Sequence, residues 1–329
     1  MMKAGSGETL DGRFLLLDEI GRGAMATVFK AADLENEGAL VAVKVPLPEF
    51  ASGLGTWSMF QREAELGAEL QHPEVLRFIS LLPGQRGYIV TEYARGTPLA
   101  ARVGHGRRLP EQEAVALMLR LCDAVAHVHA RGIVHYDLKP ENVLECEDGS
   151  LRLIDFGLAH RIPKRRSRFV AAAPPMASAH CVAPEQLQRR SGRPSVDIYA
   201  LGAMFYEMLT GHAVYEGDDP FALTSARRLA DPVAPRAIQP AISVQAEEIV
   251  LRALRRDPAE RYQSVAALKQ DLEQPSEIRV SGLAQRLIPV TRWRKCAFWL
   301  RSAALIGVLP IGVLLMAFRL LWWYFDRGR

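Results

Sequence analysis

With 329 residues, 49% hydrophobic and 24% charged, the chain has the apolar content of a globular core, which excludes a disordered polymer. Its length suits one two-lobed domain, or two ordinary domains with an appendage. The formal net charge of +4 is unevenly spread: residues 286–329 hold eight Lys/Arg and one acid, which leaves −3 for the first 285 and gives no reason to expect a nucleic-acid partner.

Residues 13–93 read mainly as strands, in the short β-type runs FLLLDEI, TVFKAADL, LVAVKV, RFISLLPG and GYIVTEY. One helix interrupts them, from Trp57 to Leu70, stopped by His72-Pro73. From residue 110 helices dominate. PEQEAVALMLRLCDAVAHVHARG starts on Pro110, carries a 3.6-period apolar stripe and ends near Gly132. VDIYALGAMFYEMLTG is apolar nearly all round and so buried, while VQAEEIVLRALRRD and SVAALKQDLEQ are amphipathic. A β-rich half followed by a helical half, without internal repeats, predicts an α+β fold of two lobes.

The chain's two ends and its cysteines bear on location. Cys122, Cys146, Cys181 and Cys296 are scattered without a C-x-x-C, as expected of reduced thiols in a cytosolic body. The N-terminus lacks the apolar stretch of a signal peptide. Near the other end, Ser302 to Phe318 is a 17-residue run without charge, and extension to Phe325 gives 24 residues. As a helix that is enough to cross about 30 Å of hydrocarbon. Arg319 can snorkel, and Trp322, Trp323 and Tyr324 suit the interface. Five basic residues precede the span and three lie at or beyond its far end, so the preceding side is expected to be cytoplasmic. The expected organisation is an N-terminal segment 1–12, a domain 13–273 (lobes 13–93 and 94–273), a basic juxtamembrane linker 274–301, a transmembrane helix 302–325 and an outer tail 326–329. That would be a single-pass protein of the plasma membrane, in contact with membrane lipid and with no outside sensor domain.

Five short motifs carry chemistry. Gly21-Arg22-Gly23-Ala24-Met25-Ala26-Thr27-Val28 follows a strand and could lay backbone N–H groups over nucleotide phosphates; alone it also reads as an ordinary hairpin. Lys44 in Val41-Ala42-Val43-Lys44 is an awkward cation for an apolar strand unless it reaches a ligand or a carboxylate. Glu63, on the helix QREAELGAEL, could meet it. His135-Tyr136-Asp137-Leu138-Lys139-Pro140-Glu141-Asn142 is the strongest signal. It sets a carboxylate that can accept a hydroxyl proton, a cation two residues on and a metal-holding Asn five residues on. Asp155-Phe156-Gly157, after the β-like LRLI, offers a hard carboxylate for Mg²⁺.

In this order and spacing, with Ala183-Pro184-Glu185, the set resembles the eukaryotic-type protein kinase family over about residues 13–273. The compact tail and the box Arg255 to Ser264 resemble the membrane-anchored bacterial serine/threonine kinases. The resemblance implies ATP as phosphoryl donor, Mg²⁺ (or Mn²⁺ in its place), protein substrates bearing Ser/Thr, and a cognate phosphatase. It gives Asp137 the substrate hydroxyl and the role of base, Lys139 the γ-phosphoryl, Lys44 the α/β-phosphates paired with Glu63, and Asn142 and Asp155 the metal. Gly21, Arg22, Gly23 and Ala26 would cover the phosphates, Val28, Ala42 and Leu144 would sandwich the adenine, and Glu92 to Ala94 would form the hinge behind Thr91. Glu185 would pair with Arg261, and Asp197 would anchor the catalytic loop.

Departures from the family pattern are instructive. Ala26 stands where a third loop glycine is usual, and Tyr136 replaces an Arg that in many members binds a phosphorylated activation loop. Between Phe156 and Ala183 the only hydroxyl residues are Ser167 and Ser178, so activity is expected not to need loop phosphorylation. The run Lys164 to Arg168 reads as a solvated charge cluster, with acidic substrates or anionic lipid as the functional alternative. Tyr136 also keeps open a membrane-tethered pseudokinase, a scaffold that binds nucleotide without efficient transfer. A small-molecule kinase of the same fold is disfavoured by the Ala183-Pro184-Glu185 segment and by the helix bearing Asp197.

Overall fold

The computed structural model describes residues 5–23, 25–48, 54–80, 87–162, 180–187, 193–217 and 220–287. The expected span at 302–325 and the loop positions Ser167, Ser178 and Lys164 to Arg168 lie outside them. Among the described residues no helix is long and apolar enough to cross a membrane.

The first lobe is one antiparallel sheet. Its strands are β1 (Thr9–Leu10), β2 (Phe14–Arg22), β3 (Ala26–Asp33), β4 (Ala39–Pro46), β5 (Phe78–Ser80) and β6 (Ile89–Glu92), in the spatial order β1-β2-β3-β4-β6-β5. Strand alternation separates two faces. Phe14, Leu16, Phe29, Ala31, Val41, Val43, Tyr88 and Val90 form a small core on one side. On the other side the register sets Val28 opposite Lys44 and Ala42 opposite Thr91. Helix α1 (Leu54–Ala68) begins three residues earlier and ends two residues earlier than its pattern suggested. Its Gly67 fits because a Cβ there would come within 2.2 Å of the Phe78 ring.

The second lobe packs α2 (Glu111–Ala130), α3 (Pro184–Leu187), α4 (Ser195–Thr210), α5 (Pro220–Leu229), α6 (Pro235–Ile238), α7 (Val244–Ala253) and α8 (Val265–Glu273) around the main core. Pro110 is the N-cap of α2, one place before the helix, where its missing N–H costs nothing. Fourteen of the sixteen residues of α4 are buried, as its unstriped apolarity requires, and Gly211 ends it in the left-handed conformation (φ 77°). Between the lobes lie β7 (Gly96–Pro98), β9 (Val143–Cys146) and β10 (Leu151–Leu153), ordered β10-β9-β7. A second pair joins β8 (Ile133–Val134) to β11 (His160–Arg161). These two small sheets hold the loops 135–142 and 154–159 side by side at the foot of the first lobe's open face.

Candidate active site

The glycine-rich turn is the tip of the β2–β3 hairpin. Gly21 pairs with Val28, and the Gly23 N–H donates to the Ala26 carbonyl at 2.8 Å to close the turn. Arg22 is exposed there and paired with Glu19 at 3.0 Å. Strand alternation turns Lys44 from the lobe core toward α1. Its ammonium donates to both oxygens of Glu63, at 2.7 and 2.8 Å, and to Asp155 Oδ1 at 3.1 Å.

The second cluster grows from the loop after β8. Lys139 Nζ donates to Asp137 Oδ2 at 2.8 Å. The Asn142 amide nitrogen donates to the Asp137 carbonyl at 2.8 Å and to Asp137 Oδ2 at 3.1 Å, so its oxygen is the atom it can offer a metal. The two metal candidates are fixed to each other through the backbone, the Ile154 N–H donating to the Asn142 carbonyl at 2.9 Å. Asp155 holds a left-handed backbone (φ 62°) and accepts from the Gly157 N–H at 3.2 Å. A Cβ on Gly157 would press to 3.2 Å from Asp155 Oδ1 and 3.4 Å from Glu63 Oε2.

Val28, Ala42 and Leu144 are half-buried, and Thr91 is buried beside Ala42. Glu92 turns its carboxylate away from the open face, accepting from the Arg77 N–H and from Arg152 Nε, both at 3.0 Å. Its backbone, with that of half-buried Ala94, is what it would offer an adenine ring.

The charges fit phosphate and metal chemistry. The Lys44 ammonium holds the Asp155 carboxyl down to about 2, so that oxygen is anionic at any working pH. Burial pushes the Glu63 carboxyl upward and Lys44 pulls it back. Burial alone would lower Lys44, but the two facing carboxylates outweigh it and raise it. Among the described residues no three His, Cys, Asp or Glu cluster as a metal cage. One carboxylate and one amide oxygen, completed by phosphate oxygens and water, form the donor set Mg²⁺ accepts.

The expected structural partners also meet. Arg261, with no exposed side-chain surface, makes a forked pair with Glu185 at 2.6 and 2.8 Å. Asp197 accepts from the His135 and Tyr136 N–H groups at 2.8 and 2.9 Å. Sequence reasoning missed its third partner, His129, whose Nε2 lies 2.8 Å from Asp197 Oδ2. Burial works against the charged form of Asp197, but the His129 hydrogen bond prevails and holds the carboxyl low. The only signal for His129 was a histidine in the last turn of α2. Also missed were the packing of His135 against Phe156, with ring centroids 4.8 Å apart, and the contact of Arg62 with His160.

The protein kinase domain family matches residues 14–272. The serine/threonine-protein kinase PknB of Mycobacterium leprae is 33% identical over 268 residues, covering 80% of this chain and 43% of the relative. PrkC of Bacillus subtilis is 30% identical over 272 residues, covering 81% and 41% respectively. A probable serine/threonine-protein kinase of Streptomyces coelicolor is 32% identical over 273 residues, covering 80% and 40%. The chain thus spans about two fifths of the length of these curated relatives. On the family match and the paired clusters above, the chain belongs to the protein kinase domain family, and the relatives it is similar to are named serine/threonine-protein kinases of bacteria.

Proposed function

We propose that the chain transfers the γ-phosphoryl group of ATP to serine or threonine hydroxyls of proteins, itself included. The observation that carries this is the junction of the Lys44–Glu63–Asp155 cluster with the Asp137–Lys139–Asn142 cluster through one backbone hydrogen bond. Asp137 takes the hydroxyl proton as the new O–P bond forms and the β–γ bridge breaks, leaving ADP. Lys139 balances charge on the phosphoryl oxygens, and Lys44, fixed by Glu63, holds the α/β-phosphates. Asn142 and Asp155 would hold Mg²⁺, which supplies charge neutralisation of the phosphates.

Lys139 in Asp137-Leu138-Lys139-Pro140-Glu141-Asn142 and the relatives' names support Ser/Thr as the acceptor class. We further propose that residues 302–325 anchor the chain in the plasma membrane with the kinase domain cytoplasmic; the length and flanks of that apolar run support it. Tyr136, where the family pattern has Arg, favours the scaffold as the second reading.

The test is acid hydrolysis of acceptor protein labelled from γ-³²P-ATP by the full chain. Phosphoserine or phosphothreonine that disappears with EDTA supports the kinase. Phosphotyrosine alone overturns the acceptor class. Nucleotide binding without transfer favours the scaffold. Alkaline extraction of membranes tests the anchor: the full chain should stay in the pellet and a deletion of 302–325 should leave it.

A further inference from the structure

Three residues outside the reacting groups join α1 to the catalytic loop. Strand β11 pairs with β8 in the register His160↔Val134, which clamps the His160 backbone two residues before Tyr136. His160 is buried, and its Nδ1 lies 2.6 Å from the Leu158 carbonyl. A carbonyl only accepts, so Nδ1 carries the proton, and in a neutral ring Nε2 is then an acceptor. Arg62 Nη1 donates to that Nε2 at 2.9 Å. On the other side the Tyr136 ring meets His160 edge-on, with centroids 5.7 Å apart and planes at 76°. Tyr136 is itself held: its N–H donates to Asp197, its carbonyl accepts from Gln186 Nε2 at 3.1 Å, and its backbone stays left-handed at φ 68°.

Arg62 directly precedes Glu63, so a contact that fixes Arg62 on one side of α1 fixes the direction in which Glu63 meets Lys44. Arg161, the next residue of β11, pairs with Glu69, the residue just beyond the C-terminal end of α1. We propose that Arg62, His160 and Tyr136 form a strut, free of any phosphoryl group, that sets the rotation of α1 against the catalytic loop, with His160 a positioning residue that works only as neutral imidazole.

This rests on the kinase reading above, because the pair it positions is the Lys44–Glu63 pair. A second proton on His160 would set a donor against a donor at 2.9 Å, with Arg62 from α1 and the Tyr136 ring from the loop as the groups facing it. Burial, and then the Arg62 charge, hold the His160 imidazole below its usual range, which keeps it neutral near pH 7.

The test uses the full chain, treated with phosphatase, and four proteins: wild type, His160→Gln, His160→Lys, and His160→Lys with Arg62→Glu. Gln can accept from Arg62 but cannot titrate; Lys imposes a permanent cation. Expected are kcat for His160→Gln within about two-fold of wild type at pH 7.5, a loss of about ten-fold for His160→Lys, and recovery to within about three-fold in the double variant. As pH falls below the usual histidine value of about 6.5, wild-type kcat should fall more steeply than that of His160→Gln. Hydrogen exchange of α1 amides reads the same strut without activity, and should rise in His160→Lys and return in the double variant. Unchanged exchange in α1 together with parallel pH profiles of wild type and His160→Gln would overturn the strut. Absence of transfer by wild type, with exchange responding as expected, would instead overturn the kinase reading.

Discussion

Asp197→Asn removes one charge and changes one atom, at a site where the fold and the proposed chemistry meet. Asp197 has no exposed surface and accepts from the His135 N–H, the Tyr136 N–H and His129. An amide offers one acceptor oxygen, and its nitrogen must then face one of these donors. If the oxygen keeps His135 and His129, the Tyr136 N–H is left buried and unpaired. That costs about 1–3 kcal/mol, and loss of the charge weakens the remaining bonds, so about 3 kcal/mol of destabilisation is expected. Tyr136 would also lose the bond that holds it at φ 68° and would relax, displacing Asp137 next to it. A displacement of about 1 Å at a reacting group lowers kcat about 100-fold. Urea unfolding and initial phosphotransfer rates read the two effects. The wild-type carboxyl is held low, so its stability contribution is full above the unfolded value near 3.9 and is lost as pH falls through the folded value. The gap between the two proteins should therefore narrow below about pH 4. An unfolding midpoint and kcat equal to wild type at pH 7 would refute the anchoring role.

Lys44→Met should leave Glu63 buried without its cation, so Glu63 takes up a proton. A carboxyl raised in the folded state destabilises as pH rises, so this variant should lose stability relative to wild type between pH 5.5 and 8, read by urea melts at both. Arg261→Ala should cost about 3–5 kcal/mol, because Glu185 would be buried without a partner, whereas replacing both residues by apolar ones of similar size should cost less. Gly202→Ala should destabilise by about 1–3 kcal/mol without altering the Km for ATP, since a Cβ there would lie 2.6 Å from the Ala253 Cβ where α4 meets α7.

The chemistry was legible in the chain because it sits in short contiguous motifs, and the order of strands and helices followed from periodicities of two and 3.6. Lys44 shows why: a cation in an apolar strand needs a partner, and the resemblance to protein kinases singled out Glu63 from Glu65 and Glu69 of the same segment. What stayed hidden depends on approach in space. His129 and Asp197 are 68 residues apart and Arg62 and His160 are 98 apart, and no local pattern links either pair. Helix α1 was misplaced by a few residues because Leu54, Gly55 and Thr56 carry no apolar stripe, so its first turn left no periodic mark. Likewise the side chain of Glu92 gave no hint that it would turn to Arg152 and leave its backbone to the cleft.

The most direct test compares the full chain with Asp137→Asn and Lys44→Met, measuring transfer from γ-labelled ATP with Mg²⁺ and, separately, nucleotide binding. The account predicts transfer by wild type, a loss of two or more orders of magnitude in both variants, and nucleotide binding retained in Asp137→Asn. Transfer by Asp137→Asn at the wild-type rate, or nucleotide binding without transfer in wild type, would contradict it.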